Sequence, residues 1–455
     1  MAPFHTRSEL TAWLASRDAP DAPLPDALPA VVVSGRPRLQ LMLVLAVVAM
    51  AGVLAWQWGR EPAPLAADAR RIAAVAALAD RLEQQPGTLA MRTALAREAA
   101  AMLGRVAAQP TASTALKREA AAAFVKLARL QDNVNRPSLR NPPAARASLA
   151  TAWQLVAADR VPAGRQLAAR IQISQAQQDA AAGRLASAAE RLARARPLLA
   201  AAPAALRDEL ALAEATLALW QGRYPEATRR AEAMIQPWAD QPQPAWLQQL
   251  QARDAAAEGR YYQGQAMQAA ALYRDALAGA QAGLRRWPGN VQLRWAVGRQ
   301  QWNLGTTLVS AGQAQAALPI LLAARNEWVA MAAVDPEDEA LAWWSRVARL
   351  AYGEALAATG NLPAAIDELT RSLAERRAAL AAAPNNVDRQ RALLTGLGGL
   401  AHVLGEGSRR VEACSVLAEA AELSGRMQQA GALSPQDRDE LVSGQARDRA
   451  AWCAA

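Results

Sequence analysis

The sequence predicts an all-α protein built from a succession of helical hairpins, and three observations carry that reading. Alanine dominates the composition, so helix-forming residues outweigh strand-forming ones over nearly every window. Amphipathic stretches alternate with short turns marked by Gly, Pro and Asn. Most decisively, Gly264, Gly312 and Gly360 recur every 48 residues, as do Pro288, Pro336 and Pro384 and the alanines Ala269, Ala317 and Ala365, while Leu293 and Trp295 return as Leu341 and Trp343. Three residue types sharing one period mark a structural repeat, and that outweighs the two or three separate domains that 455 residues alone would suggest.

Residues 1–38 contain Pro20, Pro23, Pro25, Pro29 and Pro37, with room for a short helix near Ser8–Ser16, and read as a cytoplasmic tail. Residues 39–58 read as a single transmembrane helix. No charged side chain appears from Leu41 to Trp56, the flanking Gln40 and Gln57 extend the run to the ~20 residues a bilayer needs, and Trp56 and Trp58 form an interfacial pair. A cleaved signal peptide is the competing reading, since Ala49, Met50 and Ala51 resemble a cleavage site. The 38 residues ahead of the run, and its continuation past that site, favour an uncleaved anchor. Arg36 and Arg38 on one side against Arg60, Arg70 and Arg71 on the other barely discriminate the orientation. After Pro62 the chain reads as an N-terminal helical segment (62–111), repeats (112–430) and a C-terminal capping helix (431–455).

Within one unit, Gly305 provides a small residue where two antiparallel helices approach, and Gly312 makes the turn seven residues later. Ala317, Leu321 and Ala324 then share one face of the second helix. These residues resemble the tetratricopeptide repeat, with its small residue, turn glycine, packing alanine, large apolar residue, second alanine and closing proline. Gly353, Gly360, Ala365, Leu369 and Pro384 fit, with Ser372 in place of the second alanine. Gly264, Ala269, Tyr273 and Ala276 also fit; Gly398, Gly405, Ala413, Leu417 and Ala420 fit with a turn about three residues longer. Weaker matches run through Ala145, Leu149 and Ala152, then Gly183, Ala188, Leu192 and Ala195, then Gly222, Ala227 and Ala231, making about seven units.

The resemblance implies a right-handed α-solenoid that binds protein or peptide on a concave surface lined by the first helix of each hairpin. By repeat position it implicates Gln251, Asp254, Glu258 and Tyr262, then Arg299, Trp302 and Thr306, then Glu354 and His402. Trp302 beside Arg299 suits a peptide anchor, with interhelical packing as the alternative; for His402 the alternative is an interior imidazole. Trp295 and Trp343 read as core.

A narrower resemblance covers most of residues 67–455. The stretch Phe124–Trp153, with its Leu130–Asn133 turn and an extension before Pro142, is similar to the tetratricopeptide ectodomain of bacterial single-pass transmembrane serine/threonine kinases, as is the run from Ala413 and Cys414 through Leu433, Ser434 and Pro435 to Cys453. This implies an inner-membrane protein with its C-terminal domain in the periplasm. It also implies a Cys414–Cys453 disulfide, in a compartment where such bonds persist. The kinase itself is missing: the chain has no Gly-rich loop, β3 lysine or catalytic-loop and Mg-binding aspartates, and 38 residues could not hold them.

The net charge is +9, and Lys117 and Lys126 are the only lysines. Such arginine enrichment reads either as coding bias or as a preference for acidic partners or anionic lipid. The densest basic stretch, Arg136, Arg140, Arg146, Arg160, Arg165 and Arg170 against Asp159, lacks the interleaved aromatics that stack nucleobases, which argues against nucleic acid. With only His5, His402, Cys414 and Cys453 no metal cluster can be assembled, and carboxylate pairs such as Asp437 with Glu440 read as solvated surface. No cofactor and no enzymatic activity are expected. The expected function is a membrane-anchored interaction scaffold or sensor ectodomain; the alternative is a degenerate or split receptor whose kinase or DNA-binding output lies on a separate chain.

Overall fold

The computed structural model describes Ala77 and residues 88–453, apart from 133–137, 239–241, 337 and 434–437. The expected tail and the membrane helix at 39–58 lie outside the described residues. Among the described residues one helix, Ala314–Val334, is long and apolar enough to cross a membrane. Its buried residues Ala317, Leu321, Ala324, Trp328 and Met331 instead form one face of a helical hairpin, and Arg325 within it pairs with Glu368.

The chain forms two compact units, one reaching Val297 and including Ala333–Ala340, the other comprising Gly298–Ala332 and everything from Leu341. In the first, α1 (Leu89–Ala107) precedes hairpins α2/α3 (Thr114–Gln131, Pro142–Val156), α4/α5 (Pro162–Ala181, Leu185–Ala195), α6/α7 (Ala204–Trp220, Tyr224–Glu232) and α8/α9 (Gln243–Tyr262, Ala266–Arg286). The helices that follow are α10/α11 (Val291–Ser310, Ala314–Val334), α12/α13 (Glu339–Ala358, Leu362–Ala382), α14/α15 (Val387–Glu406, Arg410–Gln429) and the closing α16 (Ser443–Trp452).

The turns explain the period. Gly312 and Gly360 have φ of 73° and 84°, the left-handed conformation that ends a helix. The following residue then donates back to a carbonyl five positions earlier, as Gln313 does to Leu308 at 2.8 Å and Asn361 to Leu356 at 2.9 Å. The next turn corrects the expected one at Gly405. Arg409 donates to Leu404 at 2.8 Å, and the left-handed residue is Ser408 at φ 61°, 48 residues beyond Gly360. The period therefore continues unbroken, with Ala413 and Leu417 standing 48 residues after Ala365 and Leu369. The small residue of this hairpin is the buried Ala401, not Gly398.

The first helices start at regular caps too. The side-chain oxygens of Asn290, Asp338 and Asn386 accept the backbone N–H of Leu293, Ala340 and Arg389 at 3.0–3.1 Å. Between the helices, a Cβ at Gly305 would collide with Leu321, and one at Gly353 with Leu369, so these glycines let a leucine from the second helix seat against the first. Trp295 is core, as expected. Its counterpart Trp343 is partly exposed, and the buried aromatic is Trp344, stacked on the fully buried Trp328 with centroids 4.9 Å apart.

The first unit also carries polar fasteners. Asp179 accepts from Arg184, Ser187 and Arg191 at 2.6–2.9 Å, tying the α4/α5 turn together. Arg118 pairs with Asp159 at 2.8 Å. At the start of α1, the Leu89 N–H donates to Asp335 at 2.9 Å and the buried Arg92 pairs with the buried Asp338 at 2.8 Å, 246 residues away. Other inter-hairpin turns carry Trp287 and Ala383 in place of Asp335, and Asn290 and Asn386 in place of Asp338. Two carboxylates thus stand only where Arg92 arrives.

Candidate peptide-binding groove

All nine groove candidates keep access to solvent, while the residues between them build the core. On α8, Gln251, Asp254, Glu258 and Tyr262 fall on one helical face, and the alternating residues Leu250, Ala252, Ala256 and Ala257 are buried. Tyr262 is half exposed and stacks on Tyr224 with centroids 4.9 Å apart. Behind this face lies a residue the periodicity did not single out. Arg253 is buried, pairs with Asp275 at 2.6 Å, donates to the Gln236 carbonyl at 2.9 Å and covers the Trp238 ring at 4.0 Å. Its role is to brace α8 rather than to meet a ligand.

In the second unit, Arg299, Trp302 and Thr306 share a face of α10 and are partly exposed. Trp302 packs edge-on against Trp344 with centroids 5.6 Å apart, so interhelical packing holds the ring. Its indole N–H is nevertheless buried without a hydrogen-bond acceptor among the described residues. Thr306 spends its hydroxyl on the Trp302 carbonyl at 2.9 Å.

Glu354 and His402 continue that register at 48-residue steps on α12 and α14. The Glu354 side chain is open to solvent, yet protein surrounds it: Gly399 of α14 lies against its carboxylate, and Arg376 and His402 act on it through space. This enclosure pushes its carboxyl up to about 7, against the opposing pull of Arg376 and His402. Arg376 is itself buried and spans three helices, donating to the carbonyls of Ala392 at 2.8 Å and Arg346 at 3.2 Å. Burial holds its guanidinium down to about 10. His402 is not an interior imidazole: its side chain is 58% exposed, with Nδ1 3.4 Å from Asp448.

Cys414 and Cys453 form a disulfide with Cα atoms 5.6 Å apart. No group of three or more His, Cys, Asp or Glu able to hold a metal occurs among the described residues. The buried charges that sequence periodicity passed over, Glu368 between Arg325 and Arg349 above all, bridge successive helices. Their signal in the sequence is only a charge at a position where the repeat calls for an apolar residue.

Comparison with protein-family models and with curated proteins returns no match. Among solved structures, the chain is similar to a signal-transduction ATPase with numerous domains that carries a tetratricopeptide repeat sensor, from Pyrococcus horikoshii, at a TM-score of 0.51 and 12% identity over 90% of this chain. The chain spans 55% of that neighbour. It also matches a Rap protein complexed with competence and sporulation factor (TM-score 0.46, 11% identity, 84% of this chain and 99% of that one), and aspartyl phosphate phosphatase F from Bacillus subtilis (TM-score 0.43, 11% identity, 84% and 94%). The first of these, with the hairpin geometry, defines the class: a tetratricopeptide-like helical-repeat protein.

Proposed function

We propose that this chain is an interaction scaffold or sensor domain that binds a protein or peptide partner along the first helices of its hairpins. The observation that carries the reading is the division of labour on those helices. Core residues alternate with solvent-accessible ones at the register positions of Tyr262, Trp302, Glu354 and His402. A half-exposed tyrosine and a partly exposed tryptophan are suitable anchors, since aromatic residues carry a large share of binding energy at protein interfaces. The arginine-rich composition favours an acidic partner. The reading includes no catalytic step and no cofactor.

We further propose an inner-membrane location, with residues 39–58 as the anchor, residues 1–38 in the cytoplasm and the repeats in the periplasm. The Cys414–Cys453 bond supports an oxidising compartment. The kinase-ectodomain resemblance of the C-terminal run supports a second reading, a receptor whose kinase or DNA-binding output is carried by a separate chain.

Two measurements test this. Reporters fused after Ser34 and after Ala455 should read cytoplasmic and periplasmic respectively; a cytoplasmic C-terminal reporter defeats the envelope assignment. Crosslinking followed by purification should recover a defined protein partner, and Trp302→Ala should weaken its affinity by about 10-fold or more, the usual loss at an interface anchor. Unchanged affinity in Trp302→Ala and in Tyr262→Ala removes the groove from the proposal.

A further inference from the structure

The groove face of the last hairpin is partly covered. Along α14, Leu394, Gly398, His402 and Gly405 follow one another at helical spacing, and α16 lies along that stripe. The Gln445 side-chain amide donates to the Leu394 carbonyl at 2.9 Å and sits against Gly398. Asp448 approaches His402 at 3.4 Å, with the Trp452 ring 5.6 Å from the imidazole. At Gly405 a Cβ would overlap the Trp452 ring, so the indole lies directly on the backbone of α14. His402 stands in register with Thr306 and Glu354. α16 therefore covers Gly398, which stands 96 residues after Trp302, and Gly405, and it borders His402, whose side chain stays 58% exposed.

The non-covalent hold of this helix is thin. Of its ten residues only Gln445 is buried, and its sequence is largely polar. A helix this short gains little stability by itself and depends on packing to persist. The covalent tie is Cys453, bonded to Cys414 near the start of α15, added to the Gln445 bond and the Trp452 packing. Both cysteines are partly exposed, which leaves the bond within reach of a small thiol.

We propose that the Cys414–Cys453 disulfide is a redox latch on the groove. Intact, it holds α16 over the stripe from Leu394 to Gly405; reduced, it releases α16 and adds that stripe to the binding face. The co-reactant is a dithiol. One of its thiolates attacks a disulfide sulfur and the Cys414–Cys453 bond breaks. Its second thiol then displaces the mixed disulfide, so two electrons pass to the protein, the two cysteines end as thiols and the dithiol ends oxidised. The proposal rests on reading the groove as the binding face, and it concerns how that face is regulated.

The test is amide hydrogen exchange on the full chain, oxidised and then reduced with dithiothreitol. Reduction should speed exchange by roughly 10-fold or more in residues 443–453 and 394–405, the behaviour of a locally opened segment, while 298–332 is unchanged. Cys453→Ser in oxidising buffer should reproduce the reduced pattern, because it breaks the bond without a reductant. Two results overturn the latch: protection of α16 and the stripe that does not respond to reduction, or a loss of protection throughout 298–429 showing that the bond supports the whole fold. Because exchange is read without any partner, a chain that captures no peptide still shows whether the latch opens, separately from the groove reading.

Discussion

The hairpins α4–α7 and α10–α15 solve one packing problem by different means. The later helices are 20 or 21 residues long and match one another at 48-residue steps, with leucine seated on glycine at Gly305 and Gly353. The earlier ones range from 9 to 20 residues, and the α4/α5 turn is tied by Arg184 and Arg191 converging on Asp179. A long helix offers enough apolar face for steric fit to set its register. A helix of three turns or fewer offers little, and directional polar contacts make up the difference. Regularity increases along the chain, while charged fasteners persist in the late hairpins, where Glu368 joins Arg325 and Arg349.

Removing the steric element where it is strongest should produce the largest effect. Leu321→Ala deletes a fully buried knob between two helices and should cost about 3 kcal/mol, within the usual range for a buried leucine, measured by urea denaturation of the full chain. A loss under about 1 kcal/mol would mean that the late hairpins are not held by this fit.

The matching change in the early hairpins is Asp179→Asn. Burial raises the Asp179 carboxyl, but the combined hydrogen bonds from Ser187, Arg191 and Arg184 outweigh it and hold the group below its ordinary value of 3.8. A depressed carboxyl stabilises the fold above its unfolded pKa, and that contribution is lost as pH falls through the lower folded value. Asp179→Asn should accordingly cost about 1–2 kcal/mol at pH 7, a figure reduced for the partly exposed arginines, and the gap to wild type should shrink below pH 4. A gap that is independent of pH would assign the effect to packing.

Glu354 carries the opposite sign. Its carboxyl is raised to about 7, so between its ordinary 4.5 and about 7 the folded state binds the extra proton and stability falls as pH rises. Glu354→Gln should raise stability by about 1 kcal/mol at pH 8, discounted because the side chain is open to solvent, and by much less at pH 5. Equal effects at the two values would mean that the enclosure does not perturb this carboxyl. The smallest effect belongs to Ser408, which takes the left-handed position that Gly312 and Gly360 hold in the two preceding hairpins. Ser408→Gly relieves a left-handed serine but frees the unfolded chain, so the net gain should be about 0.5 kcal/mol, read as a slight rise in the urea midpoint.

The late hairpins were legible because each of their rules is local. A turn glycine, a cap asparagine and a seated leucine recur within one unit, and the chain copies the unit. Legibility stopped where the local rule changed its residue: Ser408 keeps the turn geometry of Gly360 without its letter, so the pattern points instead to Gly405, whose bareness serves Trp452. Trp343 and Trp344 show the same limit, since adjacent aromatics differ only by 100° of helix rotation and periodicity did not separate them.

By itself the sequence determined the helical class and the 48-residue unit of the late hairpins. These follow from backbone preferences and spacings that act within a few tens of residues. Tertiary structure alone decided that Arg92 meets Asp338, that Arg376 spans three helices and that Asp448 of α16 approaches His402. Those contacts join residues up to 246 positions apart, and only a folded chain brings such groups within hydrogen-bonding range, where desolvation gives each charge a reason to find its partner.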